Sequence, residues 1–83
     1  MKRFEVSIVF DGGVAYNPTI VCRTKEQALD EFKQAVERSK KEIVQKHFII
    51  EGYYYYWDLI EVTLYEYFDN DNFETLEYER IER

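Results

Sequence analysis

Cysteine, proline and histidine each occur once in these 83 residues, and glycine occurs three times. A single cysteine, Cys22, excludes an internal disulfide and fits a reducing compartment, so a cytoplasmic setting is expected. Its ordinary role is that of a small buried apolar residue. Nothing beside it in sequence makes it a nucleophile. One histidine and one cysteine do not make a four-ligand zinc site. No run approaches the ~20 apolar residues of a membrane helix. The opening segment Met1-Lys2-Arg3-Phe4-Glu5 has no apolar signal core or small-residue cleavage site, so no export signal is expected. Asp11-Gly12-Gly13 lacks the lysine and the helix of a phosphate loop, and neither a dinucleotide fingerprint nor a nucleophile elbow occurs. The expectation is a chain without catalytic residues, cofactor or metal.

What is abundant is aromatic and acidic. Aromatic residues make up 18% of the chain, and the net charge is −6 at pH 7. Residues 51–83 contain ten acids and two bases, a net of −8; residues 1–50 contain seven acids and nine bases, a net of +2; together they give the −6. Seven of the eight tyrosines lie in the acidic part, four of them in the run Tyr53-Tyr54-Tyr55-Tyr56-Trp57. This charge disfavours direct binding to a phosphate backbone, which needs cations. It favours a basic protein partner. The 46% hydrophobic content suits one small folded domain spanning 1–83.

Residues 3–10 alternate, with Phe4, Val6, Ile8 and Phe10 on one face, which predicts a strand. The glycines at 12 and 13 predict a tight turn. A returning strand over 14–23 places Val14, Tyr16, Ile20 and Cys22 inward, with Pro18 confining it to an edge or breaking it. Thr24-Lys25-Glu26-Gln27 reads as a capping box that opens a helix. Leu29, Phe32, Val36, Ile43 and His47 continue as its apolar stripe, widened by Ala28 and Ala35. His47 is thereby placed near the helix end, where a cation meets the dipole. The helix is expected to end between Lys46 and Ile50, with Gly52 as a stop or a bulge.

Residues 53–68 read as one long strand, with Ile60, Val62 and Leu64 inward. Glu61, Thr63, Tyr65 and Tyr67 then face outward, joined by Tyr53, Tyr55 and Trp57. Tyr54 and Tyr56 extend the core. Asp69-Asn70-Asp71-Asn72 predicts a hairpin turn; it lacks the length and the glycine of a calcium loop. Residues 73–81 return as the last strand. The register expected pairs Leu64 with Leu76 and Val62 with Tyr78 on the inner face. On the outer face it pairs Tyr67 with Phe73, Tyr65 with Thr75, Thr63 with Glu77 and Glu61 with Glu79. Ile81 falls outward. The fold class is α+β: a two-layer β-β-α-β-β domain with a mainly antiparallel four-stranded sheet and one long helix on one face.

One helix leaves the other sheet face open. Its aromatic anchors and acidic rim suit a protein interface. The residues expected to bind a partner are Tyr53, Tyr55, Trp57, Glu61, Tyr65, Tyr67, Asp69, Asp71, Glu74, Glu77 and Glu79. Carboxylates spaced on a rigid sheet can stand in for duplex phosphates, as in small acidic inhibitors of phages and mobile elements. The partner expected is therefore a basic protein such as a nucleic-acid-binding enzyme, with no nucleic acid or membrane contacted directly. The alternative is a homodimer that buries the open face as a structural or regulatory module.

Overall fold

The computed structural model describes the backbone of residues 3–11, 18–45, 47–50, 52–69 and 71–83, and the side chains of these apart from 45, 47–50 and 53–56. Strand β1 (Arg3–Asp11), strand β2 (Thr19–Cys22), helix α1 (Lys25–Gln45), strands β3 (His47–Ile50) and β4 (Tyr53–Tyr56), and strands β5 (Leu59–Tyr67) and β6 (Phe73–Glu82) follow in order. A four-stranded antiparallel sheet runs β2-β1-β5-β6, with α1 on one face; β3 and β4 pair only with each other. The two-layer β-β-α-β-β plan therefore holds, with a two-stranded ribbon added between the helix and the third strand of the sheet. The predicted turn glycines, Val14 and Tyr16 lie outside the described residues.

Strand β1 is central, so its alternation is strict: Phe4, Val6, Ile8 and Phe10 are all buried on the helix side. Ile60, Val62 and Leu64 of β5 lie beside them, each fully buried. A buried aliphatic side chain of this kind contributes roughly 1.5–3 kcal/mol. Pro18 precedes the edge strand β2, where its carbonyl accepts from the Ile8 N–H at 3.0 Å and its lack of an N–H does no harm. Cys22 is buried, and burial followed by the nearby Glu31 carboxylate pushes its thiol pKa up.

Thr24 caps α1: its hydroxyl accepts from the Gln27 N–H at 3.1 Å and its carbonyl from the Ala28 N–H at 3.1 Å. Small residues form the centre of the buried stripe, with Ala28, Ala35 and Ser39 closed from solvent alongside Ile43. Leu29, Phe32 and Val36 flank it and are half-buried. Small side chains at the centre let the helix sit close on the sheet.

Three expectations need correction. First, the helix stops at Gln45, and His47 belongs to β3 instead of the helical stripe. Second, residues 53–68 are two strands. Ile50 pairs with Tyr53, and Gly52 between them takes φ +85°, a value that glycine adopts without steric cost. The tyrosine run is thus one arm of a hairpin. The side chains of Tyr53–Tyr56, and with them the expected outward Tyr53 and Tyr55 and inward Tyr54 and Tyr56, lie outside the described residues. Among the described residues, the backbone contacts of the ribbon are chiefly those between its own two strands. In keeping with this, the fold measures 46 × 23 × 16 Å, with a radius of gyration of 14.1 Å. A compact chain of this length would have about 12 Å.

Third, the β5–β6 register slips. Tyr67 faces Phe73 and Tyr65 faces Thr75 as expected, but Leu64 then pairs with Glu77, leaving Leu76 as the extra residue of a β-bulge. From there every β6 residue changes face. Ile81 pairs with Ile60 and is buried, whereas Tyr78 turns to the open face opposite Thr63.

A candidate docking surface on the open sheet face and the acidic hairpin

Residues opposite one another in an antiparallel pair share a face, so the register lays out the surface directly. The face away from the helix carries Arg3, Glu5, Ser7 and Val9 from β1, Val21 from β2, Glu61, Thr63, Tyr65 and Tyr67 from β5, and Phe73, Thr75, Tyr78 and Arg80 from β6. Three rings gather at one end. Tyr65 meets Phe73 at 5.4 Å and Tyr67 at 6.2 Å edge-to-face, and the Tyr67 and Phe73 rings lie tilted at 34° with centroids 5.3 Å apart. Phe73 is 56% exposed, and the open-face side chains of Tyr78 and Val21 are also exposed. Large apolar groups left in water on one face mark an interaction surface.

Charge on this face is internally matched. The Arg3 guanidinium lies 4.4 Å over the Tyr67 ring and 3.5 Å from the Glu5 carboxylate. Desolvation, followed by the Glu5 carboxylate, raises the Tyr67 phenol pKa. The Tyr78 hydroxyl donates to Glu61 at 2.6 Å, and this bond is the main cause of its raised pKa. Arg80 pairs with Glu82 at 2.8 Å.

The carboxylates expected to complete the rim are elsewhere. Beyond the bulge, Glu77 and Glu79 share the helix side of the sheet with Leu64 and Val62, as does Glu74 opposite Glu66. Glu74, Glu77 and Glu79 are all exposed. With Glu66 they form an acidic ridge along the sheet edge, and none of the four is in an ion pair with a described residue. Glu79 also borders a groove of about 170 Å³ whose other lining includes Phe32, Lys33 and Lys40 of α1.

Asp69 serves its own turn. Its carboxylate accepts from the Asp71 and Asn72 N–H groups at 2.8 and 2.9 Å and from the Asn72 side-chain amide at 2.8 Å. These bonds, the side-chain one foremost, lower its pKa. Asp71 is exposed at the same hairpin tip.

Trp57 is not part of the surface. It is 9% exposed and packs against Phe10, with ring centroids 4.9 Å apart and the planes tilted by 48°. The adjoining corner is pinned by backbone bonds, Asp58 N–H to the Asp11 carbonyl at 2.9 Å and Arg83 N–H to the Asp58 carbonyl at 3.1 Å. The structure thus brings together Glu61, Tyr65 and Tyr67 on one face and Glu74, Glu77 and Glu79 on the adjoining edge. It removes Trp57 and sets the Tyr53–Tyr56 segment apart in the ribbon. Sequence reasoning missed Tyr78 on the open face, which the unseen bulge turns outward, and Glu66 on the ridge, which shares the helix side of β5 with Leu64.

Among the described residues no three His, Cys, Asp or Glu side chains converge, and no helix is long and apolar enough to cross a membrane. No protein-family model, curated protein or solved structure matches this chain.

Proposed function

We propose that this chain is a non-catalytic protein-binding module that docks the aromatic open face and the acidic hairpin of β5 and β6 onto a basic protein. The observation that carries the reading is the three-ring patch of Tyr65, Tyr67 and Phe73 on the open face, with Glu66, Glu74, Glu77 and Glu79 across the same sheet edge and none of them in an ion pair with a described residue. Rings supply desolvated anchors and the acids supply steering and charge complementarity. The segment 51–83, with ten acids to two bases, extends that negative field beyond the ridge. A basic groove of a nucleic-acid-binding enzyme is the partner this chemistry suits best, and blocking such a groove would make the module an inhibitor.

The test is capture at low salt on the immobilised protein, followed by a salt gradient. It is run with wild type, Phe73→Ala and the pair Glu74→Lys with Glu77→Lys. Both changes lie at exposed positions, so the fold survives them. The expected result is a basic protein eluted by moderate salt and lost from both variants. Capture that neither variant alters would overturn the reading. A second reading is self-association through the open face, favoured by the exposure of Val21, Phe73 and Tyr78. Light scattering distinguishes it: a mass of twice the monomer that Phe73→Ala halves supports the homodimer.

A further inference from the structure

The free protein already holds a guanidinium on the docking surface. Arg3 lies over Tyr67 at 4.4 Å while its Nε sits 3.5 Å from Glu5. Tyr67 in turn contacts Phe73 at 5.3 Å, at an angle of 34°, which gives the site a second ring wall. The arrangement of an aromatic face, a carboxylate and an adjacent exposed ring suits a planar guanidinium better than an ammonium. Guanidinium stacks flat and forks toward carboxylate oxygens, whereas a lysine head is a compact, strongly hydrated point charge.

The Arg3 side chain is 40% exposed, so water and an incoming ligand both reach its contacts with Tyr67 and Glu5, and cation–π and ion-pair contacts at such exposure are weak. We propose that Tyr67, Phe73 and Glu5 form an arginine-binding subsite, filled by Arg3 in the free protein and by an arginine of the partner in the complex. Arg3 is then an internal competitor that masks the subsite until a stronger or multivalent arginine ligand displaces it. This rests on the docking reading above and narrows the partner to one presenting arginine, as basic grooves that grip phosphates do.

The experiment measures binding of labelled nona-arginine and nona-lysine peptides at low salt to wild type, Arg3→Ala, Arg38→Ala, Glu5→Gln and Tyr67→Phe. Arg38 is exposed on the helix, away from the open face, and controls for the loss of one positive charge. Arg3→Ala should tighten nona-arginine about two- to fivefold beyond Arg38→Ala, the size of one exposed cation–π contact. Nona-lysine should respond equally to the two. Tyr67→Phe keeps the ring and should leave the preference for arginine in place, whereas Glu5→Gln should reduce it. Equal responses of both peptides to Arg3→Ala and Arg38→Ala, with nona-arginine and nona-lysine alike unaffected by Glu5→Gln, would overturn the subsite while leaving acidic docking intact. Failure of both peptides to bind wild type would overturn both readings.

Discussion

Replacing Trp57 by alanine separates a core residue from a contact residue. Trp57 is 9% exposed and its ring lies 4.9 Å from that of Phe10, at the corner where β4 gives way to β5. Truncating a buried tryptophan costs about 3–5 kcal/mol, the sum of lost transfer energy and the cavity left behind. A domain of this length holds about 4–12 kcal/mol in total. Trp57→Ala should therefore bring the protein close to its folding threshold. In urea unfolding followed by far-ultraviolet circular dichroism, a slope of about 1–3 kcal/mol/M converts that loss into a midpoint lower by at least ~1 M. Trp57→Phe keeps a ring against Phe10 and should lose well under half as much. Since the chain has one tryptophan, its fluorescence reports this site alone. Acrylamide should quench it weakly in the native protein and strongly after unfolding. A Trp57→Ala protein whose midpoint falls by less than ~0.3 M at unchanged slope, together with strong native quenching, would refute the packing argument and return Trp57 to the surface.

Three other outcomes are expected. Gly52→Ala places a side chain at φ +85°, where its Cβ meets nothing within 4 Å, so the cost is backbone strain of about 1–2 kcal/mol; because β3 and β4 pair as a sheet of their own, amide exchange at Tyr53–Tyr56 should quicken about 5–30-fold while the global midpoint hardly moves. Glu74→Lys converts the like-charged pair with Glu66 into an opposite one and should stabilise by about 0.2–1 kcal/mol, read as a higher Tm that falls back in 1 M salt; the same change should weaken partner capture. The folded-state pKa of Tyr78 is raised above 10.0, so its contribution to stability is fully present below pH 10 and is lost as pH climbs through the folded value; melting curves from about pH 8 to about pH 12 should show an alkaline limb that Tyr78→Phe diminishes, and an unchanged limb would count against the Glu61 bond.

The parts of the fold legible in sequence were those set by local chemistry. The alternation of residues 3–10 survives because β1 is flanked on both sides and covered by the helix, so period 2 is imposed without interruption. The Thr24 cap is a local hydrogen bond and needs no tertiary information. The ribbon was legible in principle: His47–Ile50 and Tyr53–Tyr56 are short β-rich runs separated by two residues, the second a glycine, which is a hairpin signature. It was obscured because the tyrosine run joins without a turn residue onto the alternation of Leu59–Tyr67. What breaks the strand there is the burial of Trp57 against Phe10, a contact between residues 47 apart that no local pattern encodes. The candidate surface followed the same division, with Tyr65 and Tyr67 placed correctly and Trp57 not.

The bulge in β6 follows from a parity conflict that the sequence contains. Leu76 and Ile81 are five residues apart, so in an unbroken strand one faces the helix and the other the solvent. The structure turns both toward the core, Leu76 half-buried and Ile81 buried opposite Ile60. Burying Ile81 gains roughly 1.5–3 kcal/mol. The interrupted ladder costs on the order of one hydrogen bond, about 0.5–1.5 kcal/mol. Because β6 is the sheet edge, water can satisfy the freed groups, so the slip wins. The same slip turns Tyr78 to the aromatic face and Glu77 and Glu79 to the opposite side of the edge. A ten-residue edge strand lined with carboxylates is poorly suited to pairing with a second copy of itself, since like charges would face each other across the new ladder. The packing of one isoleucine thereby sends Tyr78 to the ring face and Glu77 and Glu79 to the acidic ridge, so that both readings of function use the open face, the docking reading adds the ridge, and neither extends the sheet strand to strand.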